Sequence, residues 1–296
     1  MAVRRPLVRV GGKNVQLPAG DTLVARRRTN VLTKGMFGRY RSYTPGVVHT
    51  VCVTMELECE FTAVRVLIPN HTTLEMAGVR VSVAVTNDFV GGHWNNAVNP
   101  TGGEWIDATF DGQTSGVIQP VGLTDIAALT PTDLVELQSI PRASGAPRPL
   151  LMVRVQLPAT TFSIPNTGNY NWRVDGAHRP MRVSKQDVAG VDNKAAFTSA
   201  TSVDTDVFIP VIQYMSAKEG RQVLIAGDST TEGIGDSVTA FGAVQRACAA
   251  LSTPDDPIEY FNAGLSSMSS PVFSQVPGYY AGLINPTHVF LSLIHI

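Results

Sequence analysis

Three cysteines in 296 residues are too few, and odd in number, to build a disulfide framework. Cys52 and Cys59 fall on opposite faces of one predicted strand, and Cys248 sits on the apolar stripe of a predicted helix, so each reads as a small buried residue. No apolar run is long enough to span a bilayer, which argues against a membrane partner. Arg4 and Arg5 imitate a signal-peptide n-region, but the stretch from Leu7 to Lys13 is too short and too charged to follow one. No secretory leader is therefore expected, and these features leave the setting open. His49, His71, His93 and His178 are scattered without metal-site spacing, so neither metal nor cofactor is expected. The glycines near position 230 lack the lysine of a phosphate-binding loop and the spacing of a dinucleotide fingerprint. The Gly-x-Ser-x-Gly of a nucleophile elbow is missing there too.

Charge is present but unevenly placed. With 44% hydrophobic and 16% charged residues, the chain suits a globular protein long enough for two domains. Residues 1–41 hold ten Lys/Arg against Asp21 alone, leaving 13 of the 23 basic and 23 of the 24 acidic side chains to the rest. A basic arm over 1–45 on an acidic body fits docking to an acidic surface. No aromatic interleaving supports base stacking, so nucleic acid is not the expected partner.

Alternation dominates the next 170 residues. Val51, Val53, Met55, Leu57, Cys59 and Phe61 share one face of a predicted strand, and Thr50, Cys52, Thr54, Glu56, Glu58 and Glu60 the other, which predicts a buried and a solvated side. Val79 to Val85 and Leu151 to Leu157 repeat the pattern, and Tyr170, Trp172 and Val174 make a shorter copy. Val207–Met215 reads as an edge strand, because Pro210 cannot donate to a ladder. These strands predict a β-sandwich over 46–218. Within it, Trp94 and Trp105 lie in a Gly/Asn-rich connection, and exposed indoles beside amides can stack on and bond sugar rings. The competing reading is that both rings pin the loop to the sheet.

The richest chemistry lies at 221–231. The apolar run Val223 to Ala226 reads as a buried strand, it ends in Gly227-Asp228-Ser229, and Val238, Phe241, Val244, Cys248 and Leu251 predict a core-facing helix. A serine at the carboxyl end of a buried strand has its hydroxyl exposed by the turn, with backbone N–H groups near enough to hold an oxyanion. A second short strand, Ile258 to Phe261, ends in Asn262-Ala263-Gly264. Gly-Asp-Ser followed by Asn-x-Gly resembles the first two signature blocks of the SGNH/GDSL serine hydrolases. The resemblance implies a flavodoxin-like α/β domain from 219 to 290, with Ser229 as nucleophile, Gly264 as an oxyanion-hole donor and Asp228 in a supporting, turn-bracing role. The whole chain then reads as multidomain, β plus α/β: a β-sandwich followed by the start of an SGNH hydrolase domain.

The implied chemistry is hydrolysis of ester bonds, with O-acyl groups on a carbohydrate as the expected substrate. In the family a Gly-x-Asn-Asp block and a late Asp-x-x-His block complete the site. Here Thr287 to Phe290 begins the next strand and neither block follows. Residues 291–296 match what a sequencing-library transposase end encodes and read as an adapter artefact, so His295 is not taken as the base. The fragment is expected to be inactive without the missing block. Separately, Gln16 to Leu23 resembles N-terminal segments of phage tail-associated proteins, implying virion tail proteins as partners of the arm. The rival reading is a non-catalytic carbohydrate-binding or tail structural protein.

Overall fold

The structure is a computed structural model. It describes residues 7–10, 13–16, 28–36, 40–43, 48–70, 74–88, 99–120, 128–159, 162–165, 181–186, 210–232, 242–264 and 270–292. In chain order, β1 (Leu7–Val10) and β2 (Lys13–Gln16) pair antiparallel, as a hairpin around Gly11-Gly12 requires. β3 (Thr29–Met36), β4 (Tyr40–Tyr43), β5 (His49–Glu56), β6 (Phe61–Asn70) and β7 (Met76–Thr86) follow. Short strands β8 (Ile106–Ala108), β9 (Gly116–Ile118), β10 (Ala128–Pro131) and β11 (Val135–Glu136) precede β12 (Leu150–Leu157), β13 (Phe162–Pro165) and β14 (Met181–Gln186). The long β15 (Val211–Gly227) leads into α1 (Ser229–Glu232), α2 (Ala243–Leu251), β16 (Ile258–Asn262), α3 (Ser270–Ile284) and β17 (His288–Ser292).

The chain is mostly β, with two principal sheets. One runs β14-β5-β12-β7-β8, with β9 also on β7. The other holds β10-β6-β15-β16-β3, with β11 on β6 and β17 on β15. Alternate residues of both sheets meet in one apolar core: Val53, Val83 and Val153 from the first, Val64, Val66 and Ile212 from the second, all 0% exposed. Tyr170, Trp172 and Val174 lie outside the described residues.

Four expectations change. The strand expected from Val51 to Phe61 is two, because the chain leaves β5 after Glu56 and enters β6 at Phe61. Its polar side is not solvated: Thr50, Cys52, Thr54, Glu56 and Glu58 are buried and only Glu60 is exposed. Cys52 packs with Ala84, Met152 and Trp105 on the outer face, while Glu56 and Glu58 are neutralised by Arg142 (2.8 Å) and Arg148 (3.2 Å). Nor does the arm extend unbroken to residue 45. β3, in which only Lys34 is charged, belongs to the second sheet, with Leu32 in the apolar core and Thr33 fully buried on the other face. Finally, Val211–Met215 is central rather than an edge, since β15 pairs with β6 on one side and β3 on the other. Pro210 stands just ahead of the first paired residue, where a missing N–H costs no ladder bond.

β15 joins the two parts of the chain. Its first half is antiparallel to β6 and β3; its second half is parallel to β16 and β17. The register shifts between Met215 and Gly220, with Ala217, Lys218 and Glu219 exposed, so the division expected near residue 218 falls at a bend inside one strand. Across this bend the Gln222 amide acts as a piece of strand. Its Oε1 accepts from the Thr33 N–H at 2.5 Å, and its Nε2 donates to the Thr33 carbonyl at 3.0 Å. Leu67, Leu129 and Val211 share a core with Leu224, Phe261 and Tyr280.

Candidate active site

The sequence Val223-Leu224-Ile225-Ala226 is apolar at every position because this half of β15 is covered on both faces. Leu224 and Ala226 pack with Tyr280 and Ile284 of α3; Val223 and Ile225 pack with Val244 and Cys248 of α2. The ladders place Ile225 beside Asn262 of β16, and Gly227 beside Ser292 of β17. All three parallel strands thus end at one edge, and Ser229 emerges there from the middle strand. In open parallel sheets, ligands bind outside the carboxyl ends of the strands. Leu291 and Ser292 supply the last two positions of β17.

The turn leading to Ser229 is tight. A Cβ on Gly227 would lie 2.1 Å from Thr231 Oγ1 and 2.2 Å from the Ser292 carbonyl oxygen. Gly227→Ala must therefore move backbone, and is expected to cost about 1–3 kcal/mol of stability or more. An unchanged urea midpoint for that variant would show that the turn is looser. Within the same turn the Asp228 Oδ1 accepts the Thr230 N–H at 3.1 Å. Ser229 is half-buried at the start of α1.

Two side chains that carried no expected role tie the turn to its neighbours. The Thr231 carbonyl accepts from Gln245 Nε2 (2.9 Å) of α2 and from Asn262 Nδ2 (3.2 Å) of β16. Asn262 Oδ1 in turn accepts the Gly264 N–H at 2.9 Å. Thr231, two residues past Ser229, and Gly264 are therefore linked through one fully buried amide, Asn262. The Gly264 N–H, expected to await an oxyanion, is already bonded, and an oxyanion would have to compete with Asn262 for it. Gln245 was detectable only as a polar residue on a helix face otherwise apolar at Val244 and Cys248. α2 itself begins at Ala243, and Leu251, expected on the stripe, is 66% exposed as its last residue. Val238 and Phe241 lie outside the described residues.

No imidazole meets Ser229 among the described residues. His288 opens β17 at the far end of the strand from Ser292, about 13 Å from the carboxyl edge at ordinary strand rise, with its Nδ1 against Thr287 Oγ1 (2.8 Å). The thiols offer no substitute nucleophile. Burial pushes Cys52, Cys59 and Cys248 up to about 11, so all three stay protonated near neutrality. Among the described residues no group of three His, Cys, Asp or Glu is placed to hold a metal, and no helix is long and apolar enough to cross a membrane.

Of the two expected sugar contacts, Trp94 lies outside the described residues. Trp105 is half-buried against Cys52, Ala84 and Met152, with the Arg154 guanidinium 4.3 Å from its ring centroid. Its ring is engaged by the protein in a cation–π contact, and its buried indole N–H has no hydrogen-bond partner. This geometry is that of a ring pinning a loop to the sheet.

Compared with known proteins, the chain matches no protein-family model and no curated protein.

Proposed function

We propose that this chain is the front part of a serine esterase of SGNH/GDSL type that removes O-acyl groups from a carbohydrate. The observation that carries the reading is that the turn after β15, which holds Ser229, and the end of β16, which holds Gly264, lie at the ends of adjacent parallel strands and are tied by the Asn262 amide through the Thr231 carbonyl and the Gly264 N–H. The parallel strands run in the order β16-β15-β17, the second, first and third of the unit, which is how a flavodoxin-like sheet begins. In the reaction, Ser229 Oγ attacks the acyl carbonyl, the sugar hydroxyl leaves with a proton, and water releases the acyl group from the serine. The Ser229 and Gly264 N–H groups hold the oxyanion while it forms. The reading requires a proton acceptor, a role the family resemblance assigns to the histidine of an Asp-x-x-His block.

A second reading, a non-catalytic tail or adhesion protein, is favoured by two observations: the Gly264 N–H is occupied, and the described carboxyl edge has no imidazole. Assaying release of acetate from an acetylated polysaccharide separates the two. The source gene read on past the codon for Phe290 is expected to give activity that depends on Ser229. A continuation lacking Gly-x-Asn-Asp and Asp-x-x-His, with no acetate released, overturns the esterase reading.

A further inference from the structure

A carboxyl that plays no part in this chemistry lies fully buried where the second sheet changes from antiparallel to parallel. Glu259, 0% exposed, is the second residue of β16. Tyr214 Oη, from the antiparallel half of β15, donates to its Oε2 at 3.0 Å. Lys34 of β3 comes only to 4.0 Å from Oε1, and its ammonium donates instead to the Glu56 carbonyl at 3.0 Å. Its own Tyr260 N–H reaches Oε1 at 3.3 Å. Three more titratable groups act on Glu259 or feel its charge: Glu58 and Cys59 from the β5–β6 connection, and Cys248 from α2. Glu58 is covered by Arg148. Glu259 is thus a desolvated acid with one distant cation, a neutral hydroxyl and a second carboxylate nearby. Such surroundings favour the protonated form.

We propose that Glu259 is a pH-responsive latch between the paired-sheet part of the chain and the parallel unit that carries Ser229. Protonated, it fills the seam among β3, β15 and β16 as a neutral hydrogen-bonding group. Ionised, it places an excess negative charge inside that seam, beside Glu58, and loosens the strand that ends at Asn262 and Gly264. Burial is the main cause of the shift, with Lys34 opposing it and Glu58 adding to it, and the carboxyl is pushed from 4.5 up to about 7. A group that holds its proton more tightly folded than unfolded contributes stability that is complete below pH 4.5 and is lost as pH rises through 7. The latch therefore closes on acidification and opens toward alkaline pH. It operates whether or not Ser229 is a nucleophile.

The test is urea unfolding of the 296-residue chain and of Glu259→Gln between pH 5 and 8.5. Relative to the variant, the wild-type folding equilibrium constant is expected to fall on the order of 10²-fold over that range. Hydrogen exchange of the β16 amides should speed up over the same interval in the wild type only. Parallel pH curves for the two proteins would overturn the proposal. A 13C titration of the wild-type glutamate carboxyls needs no variant: a buried carboxyl changing state near pH 7 supports the latch, and a full set already ionised at pH 5.5 refutes it.

Discussion

On the proposed esterase reading, Ser229→Ala, made in a longer product of the source gene that carries an Asp-x-x-His block, is expected to lower kcat/KM for an acetyl ester by about 10³-fold or more, roughly 4 kcal/mol of barrier. In the proposed reaction the loss is large because Ser229 Oγ bonds the acyl carbon; what would remain is binding and oxyanion stabilisation, which still exceed water. Fold should survive the change, since Ser229 is half-buried and its turn is held by Asp228, Gln245 and Asn262 rather than by its own hydroxyl. Residues 1–296 alone should read near background in the same assay, because the described carboxyl edge presents Ser229 with no imidazole. Robust hydrolysis by those 296 residues, lost on Ser229→Ala, would mean that a base within them reaches the serine. Equal hydrolysis by the extended chain and its Ser229→Ala form would remove the nucleophile from the reading altogether.

Glu58→Ala should destabilise the chain more than any surface substitution, by about 3–5 kcal/mol. Glu58 is 0% exposed in the β5–β6 connection. Its Oε2 accepts from Arg148 Nε at 3.2 Å and from Ser252 Oγ at 2.6 Å, and Arg148 Nη2 donates to the Ser252 carbonyl at 2.8 Å. Ser252 caps the C-terminus of α2, so one carboxylate joins the paired sheets to the helix behind β16. Truncating it leaves the Arg148 guanidinium, whose side chain is only 16% exposed, facing a small cavity without its counter-ion. Urea unfolding measures the loss, and a cycle with Arg148→Ala separates the pair from the packing. A cost under about 1 kcal/mol would show that the two parts are held by the sheet alone. The outer ion pairs Lys218–Asp255 and Arg28–Asp256 are solvated, and losing them should change little.

How much could be foreseen follows from which interactions are local. Val79 to Val85 and Leu151 to Leu157 carry valine or leucine at every odd-numbered position, and all of those positions are core. The apolar run before Gly227 marked a strand covered on both sides, and Ile258 to Phe261 another; both are present and parallel. Periodicity failed where a second layer intervened. Glu56 and Glu58 were expected in water because a carboxylate is rarely buried, yet arginines some 90 residues away neutralise them. β3 escaped notice since its charged neighbours dominate the composition of 1–41, while its burial depends on β15, nearly two hundred residues further on.

The sequence by itself determined the strands with period two, the glycine turn before Ser229 and the placing of a nucleophile-type serine at a strand end. These are set by residues within a few positions of one another, where backbone sterics and hydrophobic alternation act directly. Only the tertiary structure decided that β15 serves both the antiparallel and the parallel part of one sheet, that Asn262 and Gln245 hold the Ser229 turn, that the Gly264 N–H is already bonded, and that Glu259 lies dry between Tyr214 and Lys34. Each depends on strands distant in sequence brought side by side. Hydrogen-bond partners and local dielectric exist only once that packing has formed.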